Sequence, residues 1–446
     1  MDSKTTQTPT GIFDEPIGMG KTLIMALQHV LTMCPGSLAL IIILGTAIGL
    51  TTEEIAFMVS ANLFTNGLAI LVQVYGVGSK IGSRLPIIMG SSYAPLGAII
   101  ALGNQYDLRV LFGAIIGSAV ILLIMSIFLD KILMLFPPVV VGSFVTLIGI
   151  SLAHVSLENI AGGHGAEDYG SSKFLILGVA VAAIVLLVER FGGKKFKTLS
   201  LLIGMVIGTV AAWFMGIVDV SPIIEANWFQ LVTPFHFGMP VFKPGPILIM
   251  TLFCLVNLIQ CIGVFSVLDE VAGTNTSQDL KIKGLRGQAF SQLIGGIFNS
   301  VPGSMFSENV GLMNLTGVKS RKVIKAAGFM LIVFGMVPKF SAAVTVIPKP
   351  VLGGATLILF GIITSSGLSI LSGLNLSENH NFTIIGTSMI LGVAAMFVND
   401  IFISLPPTIS MLVGEPLFVV SASAIILNLV LNVGAENKAF TESETE

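Results

Sequence analysis

The strongest constraint on what this chain can become is a succession of long apolar runs that no charged residue interrupts. Leu111–Leu129, Phe174–Val188, Leu201–Ile217, Ile247–Val267 and Leu417–Val433 are the plainest, with Leu38–Leu50 and Phe329–Val337 shorter. A run of about 20 apolar residues matches the hydrocarbon thickness of a bilayer. Charged residues make up only 10% of the chain, where a soluble domain carries roughly a quarter, so water cannot wet most of the surface. The chain therefore reads as an all-α polytopic membrane protein whose main partner is lipid. A net charge of −2 offers no basic face to phosphates and excludes nucleic acid as a partner. Cys34, Cys254 and Cys261 lie in apolar segments without zinc or disulfide spacing, so neither a metal nor a cofactor is expected.

Fourteen membrane segments are expected, near 20–44, 52–75, 87–102, 108–129, 137–155, 171–188, 199–218, 246–267, 285–300, 304–316, 323–342, 349–371, 382–398 and 410–433. With the N-terminus inside, 17 Lys and Arg fall on the cytoplasmic side, among them Lys4, Lys131, Arg321 and Lys438, against 5 outside. This positive-inside bias places both termini in the cytoplasm of a cell whose plasma (inner) membrane the chain crosses many times. Residues 1–19 lack a signal peptide's basic start and apolar core and read as a cytoplasmic tail, as do the acidic residues 434–446. Asp269 and Glu270, after the eighth segment, read as a solvated helix end.

A repeat lies under the hydropathy. Pro138-Val-Val-Val-Gly142 with Gly149 recurs as Pro350-Val-Leu-Gly-Gly354 with Gly361, at an offset of 212. Near that offset, Gly90-Ser-Ser-Tyr-Ala-Pro-Leu-Gly97 faces Gly303-Ser-Met-Phe-Ser-Glu-Asn-Val-Gly311, Tyr93 pairing with Phe306 after a shift of one. Each half holds seven segments. An odd number inverts the second half relative to the first, and inverted repeats mark secondary transporters. The two Gly/Ser stretches are too short and polar for full apolar helices. Irregular backbone at membrane depth survives only where protein or a water-filled cavity covers it. Two short extended stretches, in spans 3 and 10, are expected to lead into half-helices that meet near the midplane. Their free N–H groups would face a bound ligand.

Glu308 is the costliest residue in this frame, since a carboxylate at bilayer depth costs about 2.5–3.5 kcal/mol on insertion scales. Such a group can carry a proton or accept a ligand's hydrogen bonds. His29, in the first segment, is the other ionisable group deep in an apolar stretch, either a proton carrier or a hydrogen-bonded packing residue. Tyr93 offers an aromatic face suited to a planar ring. Asn257 and Gln260, mid-segment, read as helix–helix hydrogen bonders.

Ser307-Glu308-Asn309-Val310-Gly311-Leu-Met-Asn-Leu-Thr316-Gly317 resembles the signature of the nucleobase–ascorbate transporter family, the nucleobase–cation symporters of the second kind, with every fixed position met. Gln28-His29-Val30-Leu31 resembles the family's first-span motif, and Gly90-Ser91-Ser92-Tyr93-Ala94 its third-span substrate stretch. The resemblance runs from about residue 20 to 433. It implies a core domain (20–129 and 246–342), a gate domain (137–218 and 349–433) and a homodimer built through the gates. It also implies a small nucleobase substrate between spans 3 and 10, with core moving against gate. Glu308 would then hydrogen-bond the base, Asn309 support the site and Tyr93 flank the ring, with Gly36, Ser92, Phe306 and Ser307 beside them.

One departure bears on coupling. Family members usually carry a span-8 glutamate in a Glu-x-x-Gly context, matched here by Gln260-Cys-Ile-Gly263; an aspartate early in span 9 is matched by Gln288. An amide recognises hydrogen bonds but does not titrate at physiological pH. Gln260 can keep a recognition role, while Glu308 and His29 remain the proton-coupling candidates. The coupling ion is expected to be H+, with Na+ the alternative. Gly317 and Gly82-Ser-Arg-Leu-Pro86 lean towards a xanthine or urate-like purine rather than uracil. The competing readings are an anion transporter of the sulfate-permease type, which shares the seven-plus-seven fold, and a nucleobase facilitator or sensor without coupling. No motif supports an enzyme.

Overall fold

The computed structural model describes residues 11–129, 135–163, 165–166, 168–375, 380–398, 401 and 404–433. The acidic tail 434–446, the first ten residues of the N-terminal tail, and Lys131 lie outside the described residues. The elements run α1 (Met19–Ala47), α2 (Thr52–Tyr75), β1 (Met89–Ser91), α3 (Leu96–Gln105), α4 (Leu108–Met125), α5 (Pro138–Ile160), α6 (Ser172–Phe191), α7 (Ser200–Phe214), α8 (Pro244–Ala272) and α9 (Gln278–Ile297). There follow β2 (Gly303–Met305), α10 (Ser307–Thr316), α11 (Arg321–Gly335), α12 (Pro338–Thr345), α13 (Lys349–Ser372), α14 (Asn381–Ala395), α15 (Pro407–Gly414) and α16 (Pro416–Asn428). Each of the expected segments holds a helix. Among the described residues, seven helices are long and apolar enough for a full crossing: α1, α2, α4, α5, α6, α8 and α13. The pair α11 and α12 makes an eighth if its two arms count as one span.

Two expected spans are broken, each at a proline. Between 323 and 342 the axis turns by 81° where α11 ends and Pro338 begins α12. Proline has no N–H and pushes the residue before it out of the helical region, and Val337 sits accordingly at φ −111°, ψ 90°. Glu415, before Pro416, is extended for the same reason and separates α15 from α16. Asp269 also departs from expectation. It is not a solvated terminus. Its carboxylate accepts from Thr274 Oγ1 (2.9 Å), Thr276 N (2.9 Å) and Thr276 Oγ1 (2.6 Å), and so closes the turn from α8 to α9 beyond the left-handed Gly273.

The chain forms two compact units, Met1–Ser126 with Val155–Ile358, and Ile127–His154 with Leu359–Glu446. In the first, α2 packs on α11 through small residues, because lipid supplies no hydrophobic drive and close backbone approach must substitute. A Cβ on Gly335 would stand 2.6 Å from both the Ser60 carbonyl oxygen and the Phe64 nitrogen. Gly335→Ala is expected to part these helices and cost about 1–3 kcal/mol, read as a lowered unfolding temperature in detergent. In the second unit, Gly149 meets Thr364 and Phe360 so closely that a Cβ would lie 2.1 Å from Thr364 Oγ1. Its repeat counterpart Gly361 has nothing within 4 Å, so only one of the repeated pair is demanded by packing.

The two Gly/Ser stretches form the centre of the first unit. β1 pairs antiparallel with β2 in the register Met89–Met305, Gly90–Ser304 and Ser91–Gly303. Gly90 faces the counterpart of Ser91, and Ser91 faces the counterpart of Gly90. That reciprocal pairing is what a two-fold relation between inverted repeats produces.

Candidate functional site

Three-residue strands cannot sustain themselves, since even a full hairpin is marginal in water. Side chains from the surrounding helices hold this ribbon. Beneath β1, Ser37 Oγ shares a hydrogen bond with Ser91 Oγ at 2.7 Å and donates to Asn62 Oδ1 at 3.0 Å. Asn62 Nδ2 in turn donates to Ser91 Oγ (2.8 Å) and Ser300 Oγ (3.2 Å), and Asn66 Nδ2 donates to Asn62 Oδ1 (3.0 Å). All five residues are buried. The sequence reading missed this network. Its signal was present in Asn62 and Asn66, two amides one turn apart on the same face of an apolar helix.

The expected site residues fall around this ribbon, all within the first unit. Tyr93 is buried and its hydroxyl donates to the Gly36 carbonyl at 2.6 Å, so Gly36 meets the third span through its backbone. Ser92 donates to Asn257 Oδ1 at 2.7 Å. The half-buried Phe306 ring lies over Gly90, where a Cβ would approach it to 2.4 Å. Asn309 is fully buried and its Nδ2 donates to both His29 Nδ1 and the His29 carbonyl oxygen, each at 3.0 Å. Only the nitrogen end of the amide suits that carbonyl, which fixes its orientation. His29 Nδ1 is then an acceptor, so the imidazole is neutral with its proton on Nε2. Asn309 Oδ1 is left without a partner among the described residues.

Glu308 and Ser307 are exposed at the start of α10, whereas Asn309 and Val310 beyond them are buried. The Ser307 hydroxyl donates to Glu308 Oε2 at 3.4 Å. The place of Glu308 in the first turn sets the carboxylate against the positive end of the half-helix. Gln260 is half-buried on α8 and makes no side-chain hydrogen bond to another described residue. Gly263 on α8 and Gly311 on α10 have nothing within 4 Å of where a Cβ would stand. Gly317 caps α10 at φ 69°, a left-handed position that calls for glycine whatever the ligand.

A multi-pass membrane protein with paired strand-and-half-helix elements and a carboxylate in the first turn of one half-helix has the build of a transporter. The Permease family model matches residues 20–401, and the chain belongs to this group, the nucleobase–ascorbate transporter family. A xanthine permease of Bacillus subtilis (strain 168) is 38% identical over 421 residues, which span 94% of this chain and 96% of that protein. The uric acid permease PucJ of the same organism is 37% identical over 96% of each. The uric acid transporter UacT of Escherichia coli (strain K12) is 38% identical over 95% of this chain and 89% of its own. Among solved structures, the transmembrane domain of a cyanobacterium bicarbonate transporter, BicA, matches with a TM-score of 0.58 at 14% identity, covering 92% of this chain and 96% of that one. SLC26A9 matches at 0.65 and 12% identity, over 93% and 66%. At such identities the likeness carries the seven-plus-seven fold and no activity.

Proposed function

We propose that this permease takes up an oxidised purine of the xanthine or urate type by symport with a cation, H+ before Na+, with uracil the alternative substrate. The observation that carries this reading is Glu308, an exposed carboxylate in the first turn of the half-helix α10, which packs on α8, the helix that carries the half-buried amide of Gln260. Purine diones present ring N–H donors and carbonyl acceptors on adjacent edges. A carboxylate accepts from the first, and an amide answers either. The relatives named as xanthine and uric acid permeases support the same class. Glu308 is assigned the proton, because His29 Nδ1 is already committed to Asn309. Asn309 Oδ1 supplies one further acceptor, for a water or a ring N–H.

In this account all fourteen segments cross the plasma membrane with both termini cytoplasmic. The core segments (20–129 and 246–342) carry the site past the gate segments (137–218 and 349–433), through which two copies pair. Equilibrium binding to the purified protein tests the substrate class. Xanthine and urate should compete with each other, and sulfate and bicarbonate should compete with neither. Displacement of a bound base by those anions, or no base binding at all, would overturn the assignment.

A further inference from the structure

The ribbon's hydrogen-bond parity isolates one backbone group. Ser92 N donates to the Pro302 carbonyl and Phe306 N to the Ile88 carbonyl, each at 3.0 Å. In an antiparallel ladder bonded pairs alternate with unbonded ones. Ser91–Gly303 and Met89–Met305 are therefore the unbonded pairs, and their backbone groups turn outwards. Buried outward groups need partners from elsewhere. Ser91 N finds Ser37 Oγ at 3.0 Å, and Met305 N finds Cys261 Sγ at 3.5 Å. The Gly303 carbonyl takes two side-chain amides, Asn257 Nδ2 at 2.9 Å and Gln288 Nε2 at 3.4 Å. Both amides are buried, and Gln288 Oε1 accepts from no described residue, so donation to Gly303 orients this side chain. Asn257 does more. Its Oδ1 accepts from Ser92, just past β1, while its Nδ2 holds Gly303, the first residue of β2, so one side chain ties the end of β1 to the start of β2.

We propose that Asn257 and Gln288 are positioning residues of the substrate site: they clamp the Gly303 carbonyl and so set where Phe306, Glu308 and Asn309 stand. The clamp needs donors. An ionised carboxylate at 288 would set acceptor against acceptor, whereas the amide supplies a donor at every pH. This inference rests on the purine-binding reading, and the test separates the two.

The variants are Gln288→Glu, Gln288→Leu and Asn257→Asp, read by binding of labelled xanthine and urate and by ligand-free unfolding temperature, each at acidic and alkaline pH. A protonated glutamic acid donates and a glutamate does not. The surroundings introduce no competing charge, since α2 beyond Glu54, α4 beyond Arg109, α8 before Asp269 and β2 carry none. On α9 itself Lys281 and Lys283 are paired with Asp269 and Asp279, and Arg286 is bonded to Ser126. The remaining titratable neighbours are the thiol of Cys261 and, beyond β2, the carboxylate of Glu308, so each variant's affinity is compared with that of the wild type at the same pH. Gln288→Glu should bind the base about tenfold or more weakly at alkaline pH, the scale of one lost buried hydrogen bond, and recover at acidic pH relative to wild type. Gln288→Leu should stay weak at every pH, and Asn257→Asp should follow Gln288→Glu. A shift in unfolding temperature without a change in affinity would overturn the positioning role, as would wild-type affinity in all three variants at every pH. If the wild type itself binds neither base, the substrate reading fails at that step and takes this inference with it.

Discussion

Glu308→Gln is expected to abolish proton-driven accumulation of the base while leaving the protein folded. The substitution keeps the size of the side chain and its place in the first turn of α10, and removes only the charge and the site for a proton. Charge-assisted hydrogen bonds are worth about 1.5–3 kcal/mol, so base affinity should fall roughly tenfold to a hundredfold. Coupling should suffer more. Gln260 and Gln288 stand where relatives of this family usually carry carboxylates, and neither amide titrates. His29 holds its Nδ1 against a donor. The variant should therefore exchange base across the membrane at saturating concentration and fail to concentrate it. Labelled xanthine uptake into proteoliposomes, with counterflow as the uncoupled control, separates those two losses. Undiminished accumulation in Glu308→Gln would move the proton to another group.

Asn62→Leu is expected to have the largest effect on stability. Leucine fits the volume but answers none of the polar groups around it. Ser37, Asn66, Ser91 and Ser300 would each lose a partner. A buried group left unsatisfied costs about 1–3 kcal/mol, and some of these four retain a second bond, so a net loss on the order of 3–5 kcal/mol is expected. Because Ser91 belongs to β1, the ribbon should loosen with the network, and base binding should weaken together with unfolding temperature. Asn62→Asp keeps the acceptor and loses the donors, so it should fall between wild type and leucine. Unfolding temperature in detergent, with and without saturating xanthine, measures both consequences. A leucine variant as stable as wild type would show that β1 is held by other means.

What could be read from the sequence followed from cost. Glu308 was conspicuous because a carboxylate at that depth is expensive, and the Gly/Ser stretches because they cannot complete an apolar helix. Their mutual offset even anticipated that they would meet. What escaped reading was direction. An asparagine in an apolar helix satisfies itself equally well against another helix or against a strand edge, and Asn257 reads the same in either case until the ladder's parity is known. The contact of Asn309 with His29 joins residues 280 apart and leaves no local trace. Tyr93 offered a ring to a ligand on paper, while the bond to Gly36 shows its hydroxyl serving the packing of α1. The breaks at Pro338 and Pro416 were visible as prolines, but the apolar run continued through them and hydropathy outweighed the missing N–H.

The central claim is that this ribbon and its half-helix carboxylate carry a purine across the membrane at the expense of a cation gradient. Uptake of labelled xanthine into proteoliposomes under an inward proton gradient, repeated with the gradient collapsed by a protonophore, measures it most directly. The account predicts concentrative uptake that the protonophore abolishes, with urate competing and bicarbonate without effect. Concentrative uptake of bicarbonate or sulfate in place of any base would contradict it.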